Sequence, residues 1–307
     1  MNLQQLRYVA EVAQRNLNVS EAARVLHTSQ SGVSRQISLL EDELGVDVFV
    51  RQGKRLVAVT QPGQEVLAIA RRMLRDVGAL KQVGDEYASG EHGRLTIATT
   101  HTQARYVLPG ILSEFMRTHP DVRVTLHQGN PTQCCEYVLS GEADLAIATE
   151  AIDDFELLVS LPCYQWNRSL IAPPGHPLLE VQPLTLEAIA AWPLITYDFS
   201  FTGGSAVNRA FAARGLTPNV MLSAIDADII KTYVALGLGV GIVAQMAFDP
   251  EQDRNLRAVD CSHLFEPSTT RIGLHRNAWL RGYGYAFIQS FASALTRDVV
   301  DRVLGRG

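Results

Sequence analysis

Residues 18–41 read NVSEAARVLHTSQSGVSRQISLLE and predict two short helices joined by a tight turn. Asn18 is the expected N-cap of the first helix, and the small Ala22-Ala23 pair allows another helix to pack closely. Ser29 is the expected N-cap of the second helix. Apolar residues recur along this second helix at helical spacing, so one stripe is buried and a polar stripe remains on the opposite face.

The polar stripe of the second helix is a candidate contact with DNA. Amide, hydroxyl and guanidinium groups near a helix N-terminus match the hydrogen-bonding groups that base pairs present in the major groove. A solvated helix face is the competing interpretation, and the stripe alone would favour it. The alanine-rich helix, the short turn and the capped polar helix, in this order, favour DNA. The residues expected at the interface are Ser29, Gln30, Ser31, Ser34 and Arg35.

Two short apolar segments after this helix predict a two-stranded wing. Residues 46–50 and 56–59 flank a basic turn. Cations at such a turn lie along the phosphate backbone, where they add affinity without reading the base sequence. The cations expected to contact phosphates are Arg51, Lys54 and Arg55.

A long helix is predicted after the wing. Pro62 suits its first turn, and the apolar residues that follow recur every three or four positions for more than five turns. So narrow a stripe favours a second copy of the same helix, which would also bring two DNA-binding domains to two half-sites. Packing against the chain's own second domain is the alternative. The stripe consists of Val66, Ile69, Met73, Val77, Leu80 and Tyr87.

The remaining residues alternate short apolar strands with helical stretches, which predicts an α/β domain of two lobes with a cleft between them. We expect strands at residues 95–99, 122–127, 144–148, 194–197, 220–223 and 241–244. The predicted domains are a winged helix-turn-helix (residues 1–60), a linker helix (61–90) and a two-lobed domain (91–307). Within the last, lobe I covers about 91–162 and 268–307, and lobe II covers about 163–267.

Polar residues stand where several of these strands end. Ligands bind at the carboxyl ends of strands in such sheets, and hydroxyl groups meet free helix N–H groups there, so that an anion can be held. A lone threonine in this position is more often a helix cap, but several together favour a ligand site. The residues expected to face the cleft are Thr100, Thr102, Gln103, Thr149 and Thr202.

Composition and charge add further limits. The chain has 307 residues, 47% of them hydrophobic, and a net charge of −5. The first 60 residues carry seven basic and six acidic side chains, so any DNA contact depends on where the cations lie rather than on bulk charge. A signal peptide and a membrane span are not evident, which predicts a cytoplasmic protein without membrane contact.

Patterns typical of enzymes and metalloproteins are not evident either. The four cysteines form no C-x-x-C pair and show no regular spacing with the eight histidines, which argues against a zinc site. The Gly237–Gly241 segment follows a helix and leads into a strand, the reverse of the order in a dinucleotide-binding loop. Neither a catalytic triad nor a paired-acid motif is recognisable. We expect no catalytic residue, no metal and no cofactor.

Segments along essentially the whole chain resemble LysR-type transcriptional regulators. The resemblance is strong for residues 22–35, 40–45 and 49–51. Three later segments are similar to the CysB and Cbl branch of that family, the regulators of sulfur assimilation; they are residues 99–106, 161–168 and 226–233. The resemblance implies a winged helix followed by two Rossmann-like lobes, arranged as in periplasmic binding proteins and assembled as a tetramer.

The resemblance also implies a function. It implies an activator of cysteine biosynthesis and of sulfate or sulfonate assimilation genes, which binds double-stranded operator DNA and works with RNA polymerase. The implied effector is a small anion, either sulfate, O-acetylserine or N-acetylserine, and Trp166 would form a wall of its pocket. A cytoplasmic α/β ligand-binding protein or enzyme without a regulatory role is the alternative, but it leaves the first 60 residues unexplained.

Overall fold

The computed structural model of the chain describes residues 1–53, 55–89, 93–149, 151–198 and 202–306. The side chains of residues 75, 79, 81–89 and 202–205 are outside this description. The chain forms two compact units, Met1–Gly90 and Glu91–Gly307. None of the helices in the described ranges combines the length and hydropathy that a membrane crossing needs.

The first unit is built from helices and a two-stranded sheet. Its elements are α1 (Leu3–Gln14), α2 (Val19–Val25), α3 (Gln30–Leu44), β1 (Phe49–Gln52), β2 (Arg55–Val59) and α4 (Gln61–Ser89). The side chains of Asn18 and Ser29 cap α2 and α3, as predicted. Val33, Ile37 and Leu40 form the buried stripe of α3, and burial of each such side chain contributes about 1.5–3 kcal/mol.

The wing differs from its predicted bounds. β1 begins at Phe49 rather than at residue 46, because the amide of Val48 donates to the buried carboxylate of Glu41 at 2.8 Å instead of to a neighbouring strand. At the other end the two strands extend further toward the turn, so Arg51 and Arg55 lie on strands. Lys54 lies outside the described residues.

A close backbone contact joins the wing to α4. A Cβ atom at Gly63, in the first turn of α4, would lie only 2.1 Å from the carbonyl oxygen of Val48. A glycine is therefore required where α4 starts. Further along, Leu67 and Ala70 of α4 are buried in the core of this unit.

The second unit contains two lobes, which the chain visits in the order lobe I, lobe II, lobe I. The first part of lobe I contains β3 (Gly93–Thr99), α5 (His101–Tyr106), α6 (Leu108–Thr118), β4 (Val122–Gln128), α7 (Pro131–Ser140), β5 (Leu145–Ala148) and β6 (Leu158–Trp166). Lobe II contains β7 (Arg168–Ala172), α8 (Leu186–Ala190), β8 (Leu194–Tyr197), α9 (Thr202–Ala213), β9 (Val220–Ala224), α10 (Ala227–Ala235), β10 (Val240–Ala244) and β11 (Arg257–Asp260). The chain then returns to lobe I with β12 (Ser268–His275), α11 (Gly282–Phe291) and α12 (Arg297–Val303).

Each lobe is built on a five-stranded sheet. The strand order is β4-β3-β5-β12-β6 in lobe I and β11-β7-β10-β8-β9 in lobe II. All six predicted strands are present, and the sheets contain four further strands, β6, β7, β11 and β12. The β12 strand lies between β5 and β6 and is antiparallel to both. Gly237, at φ +77°, lies in the tight connection from α10 to β10, so this segment leads from a helix to a strand, as predicted.

Candidate nucleic-acid interface and ligand cleft

The exposed face of α3 forms one side of a candidate DNA interface. Ser29 Oγ accepts a hydrogen bond from the Gly32 amide at 3.1 Å, so this hydroxyl is engaged in capping the helix. The other residues predicted for the interface are exposed on the same helix, although the Ser31 hydroxyl also lies 3.2 Å from Ser29 Oγ; they are Gln30, Ser31, Ser34 and Arg35.

A groove lies between α3 and the wing. On the helical side its lining is mostly polar and comes from Gln30, Ser31, Ser34 and Ser38, together with the apolar Ile37 and Val19. Its lining on the wing side comes from Arg51, Gly53 and Leu56. Small hydroxyl side chains beside a guanidinium group can donate to base edges and to phosphate oxygens.

The two described cations of the wing have different surroundings. Arg55 is exposed on β2. Arg51 Nη2 lies 2.5 Å from Glu41 Oε2, and 37% of the Arg51 side chain remains exposed. Arg51 Nη1 also lies 3.8 Å from the exposed carboxylate of Asp47. The Arg51 guanidinium is therefore held by the protein, whereas Arg55 forms no ion pair with the other residues that the structure describes.

Apolar side chains lie on two faces of α4. Leu67 and Ala70 pack on the unit's own core, whereas Ile69, Met73 and Leu80 are 48%, 36% and 72% exposed. Exposed apolar side chains repeated along one helix face mark an interaction surface. Val66 and Val77, from the same predicted stripe, are partly buried, and the side chain of Tyr87 lies outside the description.

Two of the predicted threonines come together at the carboxyl edge of the lobe I sheet. β3 and β5 are parallel neighbours with Thr99 opposite Ile147, so Thr100 and Thr149 follow adjacent strand ends. Thr100 is the N-cap residue of α5, but its side chain makes no capping hydrogen bond. Its hydroxyl is therefore not engaged with the helix that it precedes.

Gln103 and Trp166 both donate a hydrogen bond to the side-chain oxygen of Thr270. Gln103 is 1% exposed, and its amide nitrogen donates to Thr270 Oγ1 at 3.1 Å. Its amide oxygen accepts a hydrogen bond from the hydroxyl of Tyr164. Trp166 Nε1 also donates to Thr270 Oγ1, at 3.1 Å. These contacts fix α5 against β6 and β12, the strands that lead out of lobe I and back into it.

Thr102 lies on α5 of lobe I, whereas Thr202 belongs to α9 of lobe II. Burial raises the pKa of the Tyr197 hydroxyl, whereas a hydrogen bond from the Ala244 amide and the nearby Thr102 side chain act in the opposite direction. The Thr102 side chain of lobe I therefore lies near the Tyr197 hydroxyl of lobe II. Thr202 begins α9 in lobe II, and its side chain is outside the described residues.

A polar contact between the lobes escaped the sequence interpretation. The hydroxyl of Tyr106 donates to Asp228 Oδ1 at 2.7 Å, and Arg105 Nε donates to Oδ2 of the same carboxylate at 3.2 Å. Lys231 Nζ lies 3.3 Å from Asp228 and 5.1 Å from the centre of the Tyr106 ring. The four residues come from two of the segments that resemble the CysB and Cbl branch, which was the available signal.

The Asp228 carboxylate is ionised at neutral pH. Burial alone would raise its pKa, but the hydrogen bonds from Tyr106, Lys231 and Arg105 and the charge of Lys231 lower it below the usual range. A carboxylate with a lowered pKa stabilises the folded arrangement above its unfolded pKa, and this contribution is lost only as the pH falls through the lowered value. The contact between the lobes is therefore complete throughout the neutral range.

Two buried polar atoms next to residues predicted for the ligand site were also not predicted from the sequence. His101 Nδ1 and Asn167 Oδ1 have no hydrogen-bond partner among the residues that the structure describes. They follow Thr100 and Trp166 directly in the chain. A buried polar atom that lacks a partner costs free energy, which a bound ligand or water can recover.

The thiols and acids offer no metal centre in the described part of the chain. It contains no cluster of three or more histidine, cysteine, aspartate or glutamate side chains arranged to hold a metal ion. Burial raises the pKa of all four thiols to about 12, so each stays protonated at neutral pH. The four residues are Cys134, Cys135, Cys163 and Cys261.

Two family models match the chain. Residues 3–64 match "Bacterial regulatory helix-turn-helix protein, lysR family", and residues 88–296 match "LysR substrate binding domain". Together they span both compact units. The helix-turn-helix match covers α1 to α3 and the wing, and the substrate-binding match covers the two lobes.

Individual relatives agree with these models. The transcriptional regulator CysB of Burkholderia cenocepacia is 52% identical over 304 residues, which are 99% of this chain and 97% of that protein. The regulator Cbl of Escherichia coli is 45% identical over 302 residues, covering 98% and 96%. A crystal structure of the cofactor-binding domain of the Cbl transcriptional regulator matches with a TM-score of 0.68 and 43% identity, covering 71% of this chain and 96% of that one.

These relatives are transcriptional regulators, which excludes the alternative of an enzyme or a ligand-binding protein without a regulatory role. The CysB and Cbl branch is the one whose resemblance implied sulfur assimilation. This chain belongs to the LysR family and is a DNA-binding transcriptional regulator of the CysB and Cbl type.

Proposed function

We propose that this regulator activates genes of cysteine biosynthesis and of sulfate or sulfonate assimilation when a small anion binds between lobes I and II. The observation that carries the proposal is the pair of threonines at the cleft edge of lobe I. Thr100 and Thr149 follow adjacent strands, and the Thr100 hydroxyl is not used to cap α5. The first N–H groups of α5 have no partner within the helix and point toward its N-terminal end, where Thr100 lies.

The proposed effector is sulfate, O-acetylserine or N-acetylserine. Hydroxyl and amide donors hold such an anion without a permanent counter-charge, which suits a sensor that must also release it. We assign Thr100, Thr102, Thr149 and Thr202 to direct contact, with Trp166 as a wall of the pocket. Gln103 contributes by holding α5 in place, because its amide group is bonded to β6 and β12.

We further propose a tetramer in the cytoplasm, built from pairs of α4 helices and in contact with operator DNA and RNA polymerase. The exposed Ile69, Met73 and Leu80 support the pairing of α4. On DNA we assign α3 to the major groove and the wing to the phosphates. The α3 residues are Ser29, Gln30, Ser31, Ser34 and Arg35, and the wing residues are Arg51, Lys54 and Arg55.

The proposed signal is a change in the arrangement of the two lobes. An effector shifts such an equilibrium only if it binds one arrangement more tightly than the other. Hydrogen bonds from Tyr106 and Arg105 to Asp228 already join the lobes, so the effector acts on a cleft that is partly closed. The altered arrangement would then change the spacing of the paired DNA-binding domains through α4.

A ligand screen tests the proposed effectors. The full-length protein is titrated calorimetrically with sodium sulfate, O-acetylserine, N-acetylserine and, at matched ionic strength, sodium chloride. We expect saturable binding of at least one sulfur-pathway compound and none of chloride. Binding of none of the three would refute the effector assignment. By reciprocity, an effector that changes operator affinity must have its own affinity changed by operator DNA by the same factor.

Thr102→Ala should weaken effector binding by about 1–3 kcal/mol, roughly five- to 150-fold, because an anion loses a donor at a desolvated site. DNA binding without effector should be unchanged. Calorimetry of the full-length variant with the compound that binds best gives the affinity. Wild-type affinity would remove Thr102 from the pocket.

A matched variant separates the two roles of Thr102. Tyr197→Phe removes the lobe II hydroxyl that lies near Thr102 but leaves the threonine in place. If the loss in Thr102→Ala arises from the missing donor, Tyr197→Phe should lose much less affinity. Equal losses would show that Thr102 acts by joining the lobes and not by contact with the effector.

Tyr106→Phe should lower effector affinity about fivefold, because a hydrogen bond to a carboxylate that joins the lobes is worth about 1 kcal/mol when partly exposed. Thr100 and Thr102 keep their places in this variant, so the loss measures the cost of closing the cleft. Tyr233→Phe, on the exposed face of α10, is the control and should bind normally. Equal affinities for the two variants would mean that the contact does not influence closure.

A further inference from the structure

A buried carboxylate joins the two DNA-facing elements of the first unit. Glu41 lies on the inner face of α3 and is 5% exposed. Its Oε1 atom accepts hydrogen bonds from the amides of Val48 at 2.8 Å and Phe49 at 3.2 Å, at the start of the wing. A single side chain of α3 therefore sets where the wing begins.

The other oxygen of Glu41 holds a cation of the DNA interface. Arg51 Nη2 lies 2.5 Å from Glu41 Oε2 and 3.4 Å from Ser38 Oγ. The arginine side chain is still 37% exposed, beside the groove between α3 and the wing. Its other terminal nitrogen, Nη1, lies 3.8 Å from the largely exposed carboxylate of Asp47. Glu41 thus fixes the guanidinium on the protein side, whereas its other side faces solvent and Asp47.

The same junction extends to α4. The carbonyl oxygen of Val48 accepts a hydrogen bond from the Thr60 amide at 3.0 Å, and the Gly63 amide donates to Thr60 Oγ1 at 2.9 Å. Gly63 also packs directly on the Val48 carbonyl group. Through Val48, the Glu41 carboxylate therefore links α3, the helix proposed to enter the major groove, to the first turn of α4.

Stability alone does not require a carboxylate at this position. The neighbours of Glu41 on the inner face of α3 are apolar, and a buried ion pair is often no more stabilising than well-packed apolar residues of similar volume. What the carboxylate adds is direction, since it binds two adjacent amides and a guanidinium at once. Fixing a long side chain before binding lowers the entropy lost when it meets its partner.

We infer that Glu41 is a positioning residue for DNA binding, which sets the angle between α3 and the wing and holds Arg51 in the orientation that meets a phosphate. The inference rests on the proposed contact of Arg51 with DNA. Glu41 does not touch DNA itself, because its carboxylate is enclosed by the protein. Its effect on binding passes through Arg51.

A double-mutant cycle in the full-length protein tests this inference. The variants are Glu41→Gln, Arg51→Gln and the double variant, and the probe is a duplex that the wild-type protein selects from a random pool. Glutamine still accepts from the Val48 amide but cannot pair with Arg51. We expect Glu41→Gln to weaken binding about tenfold in the wild-type background and less than twofold when Arg51 is already replaced. Equal factors in both backgrounds would overturn the positioning role.

The cycle also separates the inference from the contact on which it rests. If Arg51→Gln binds the selected duplex as tightly as wild type, the proposed phosphate contact is wrong. If Arg51→Gln is weaker but the effects of the two substitutions multiply, the contact stands and the role of Glu41 is wrong. A shuffled duplex, measured in parallel, reports whether the loss is common to all DNA.

Asp42→Asn is the matched control for charge. Asp42 is the next residue of α3, is exposed, and loses the same negative charge. Removal of a negative charge near DNA should leave binding equal or slightly stronger, so a loss in Glu41→Gln has the opposite sign to the electrostatic effect. If Glu41→Gln strengthens binding as much as Asp42→Asn does, the carboxylate has no positioning role.

A further variant covers the case in which Glu41→Gln unfolds at the assay temperature. Arg51→Lys keeps the charge and the exposed position but loses the planar fork that spans Glu41 and a phosphate. It should bind the selected duplex about fivefold more weakly with an unchanged salt dependence. Wild-type affinity of Arg51→Lys would show that the orientation of the cation is unimportant and would overturn the inference.

Discussion

Met73→Glu in α4 should dissociate the assembled regulator and weaken operator binding by roughly a hundredfold or more, because two linked DNA-binding domains lose their mutual effective concentration. Met73 is 36% exposed in the centre of the stripe that includes Ile69 and Leu80. In a paired seam, a glutamate at this position would be buried opposite its own copy. Sedimentation velocity measures the assembly, and a gel-shift titration with the selected duplex measures binding.

The control for this prediction lies on the same helix. Ala68 is exposed and lies away from both the stripe and the buried Leu67 and Ala70. Ala68→Glu should therefore leave the oligomer and the operator affinity unchanged. If Met73→Glu sediments as the wild type does and melts at the same temperature, the stripe is not an interface.

Arg35→Ala should cost the assembled protein about 2–6 kcal/mol of operator binding, because each of two recognition helices loses a base contact worth about 1–3 kcal/mol. Arg35 is exposed on α3 and follows Ser34, a residue that lines the groove. The sequence preference should relax at one base pair in each half-site. Binding to the selected duplex and to its single-base variants measures both effects, and an unchanged preference would remove Arg35 from the base edges.

Arg55→Ala provides the comparison for Arg35→Ala. Arg55 lies on β2 of the wing, where a phosphate contact is expected, so its loss should weaken binding to selected and shuffled duplexes by the same factor. The slope of affinity against salt should fall by about one per lost contact. A salt dependence identical to that of the wild type would argue against a phosphate contact of the wing.

The features that the sequence predicted well are those with local causes. Asn18 and Ser29 cap helices through amides three residues away, so the signal and the structure lie in the same short segment. Four of the six predicted strands, β3, β5, β8 and β10, read as apolar runs because most of their residues are buried. The two adjacent threonines at the lobe I edge follow from the general position of ligands in parallel sheets.

The features that escaped prediction depend on distant partners. β7 begins with Arg168, which is 1% exposed and donates to Glu266 and Ser268, about a hundred residues further on. Gln103 was expected to face the cleft, but its amide group forms hydrogen bonds with Tyr164 on β6 and Thr270 on β12. The wing was drawn three residues too early, because no local pattern shows that Glu41 binds the Val48 amide.

The place of β12 has a consequence for how the protein is made. β12 lies between β5 and β6, so the lobe I sheet lacks an inner strand until the ribosome has synthesised residues 268–275. Until then the nascent chain exposes strand edges that can pair with other chains. The first unit is contiguous over residues 1–90, and its hydrophobic core consists of residues from that range. A nascent chain can therefore complete its DNA-binding unit well before it can complete its sensor.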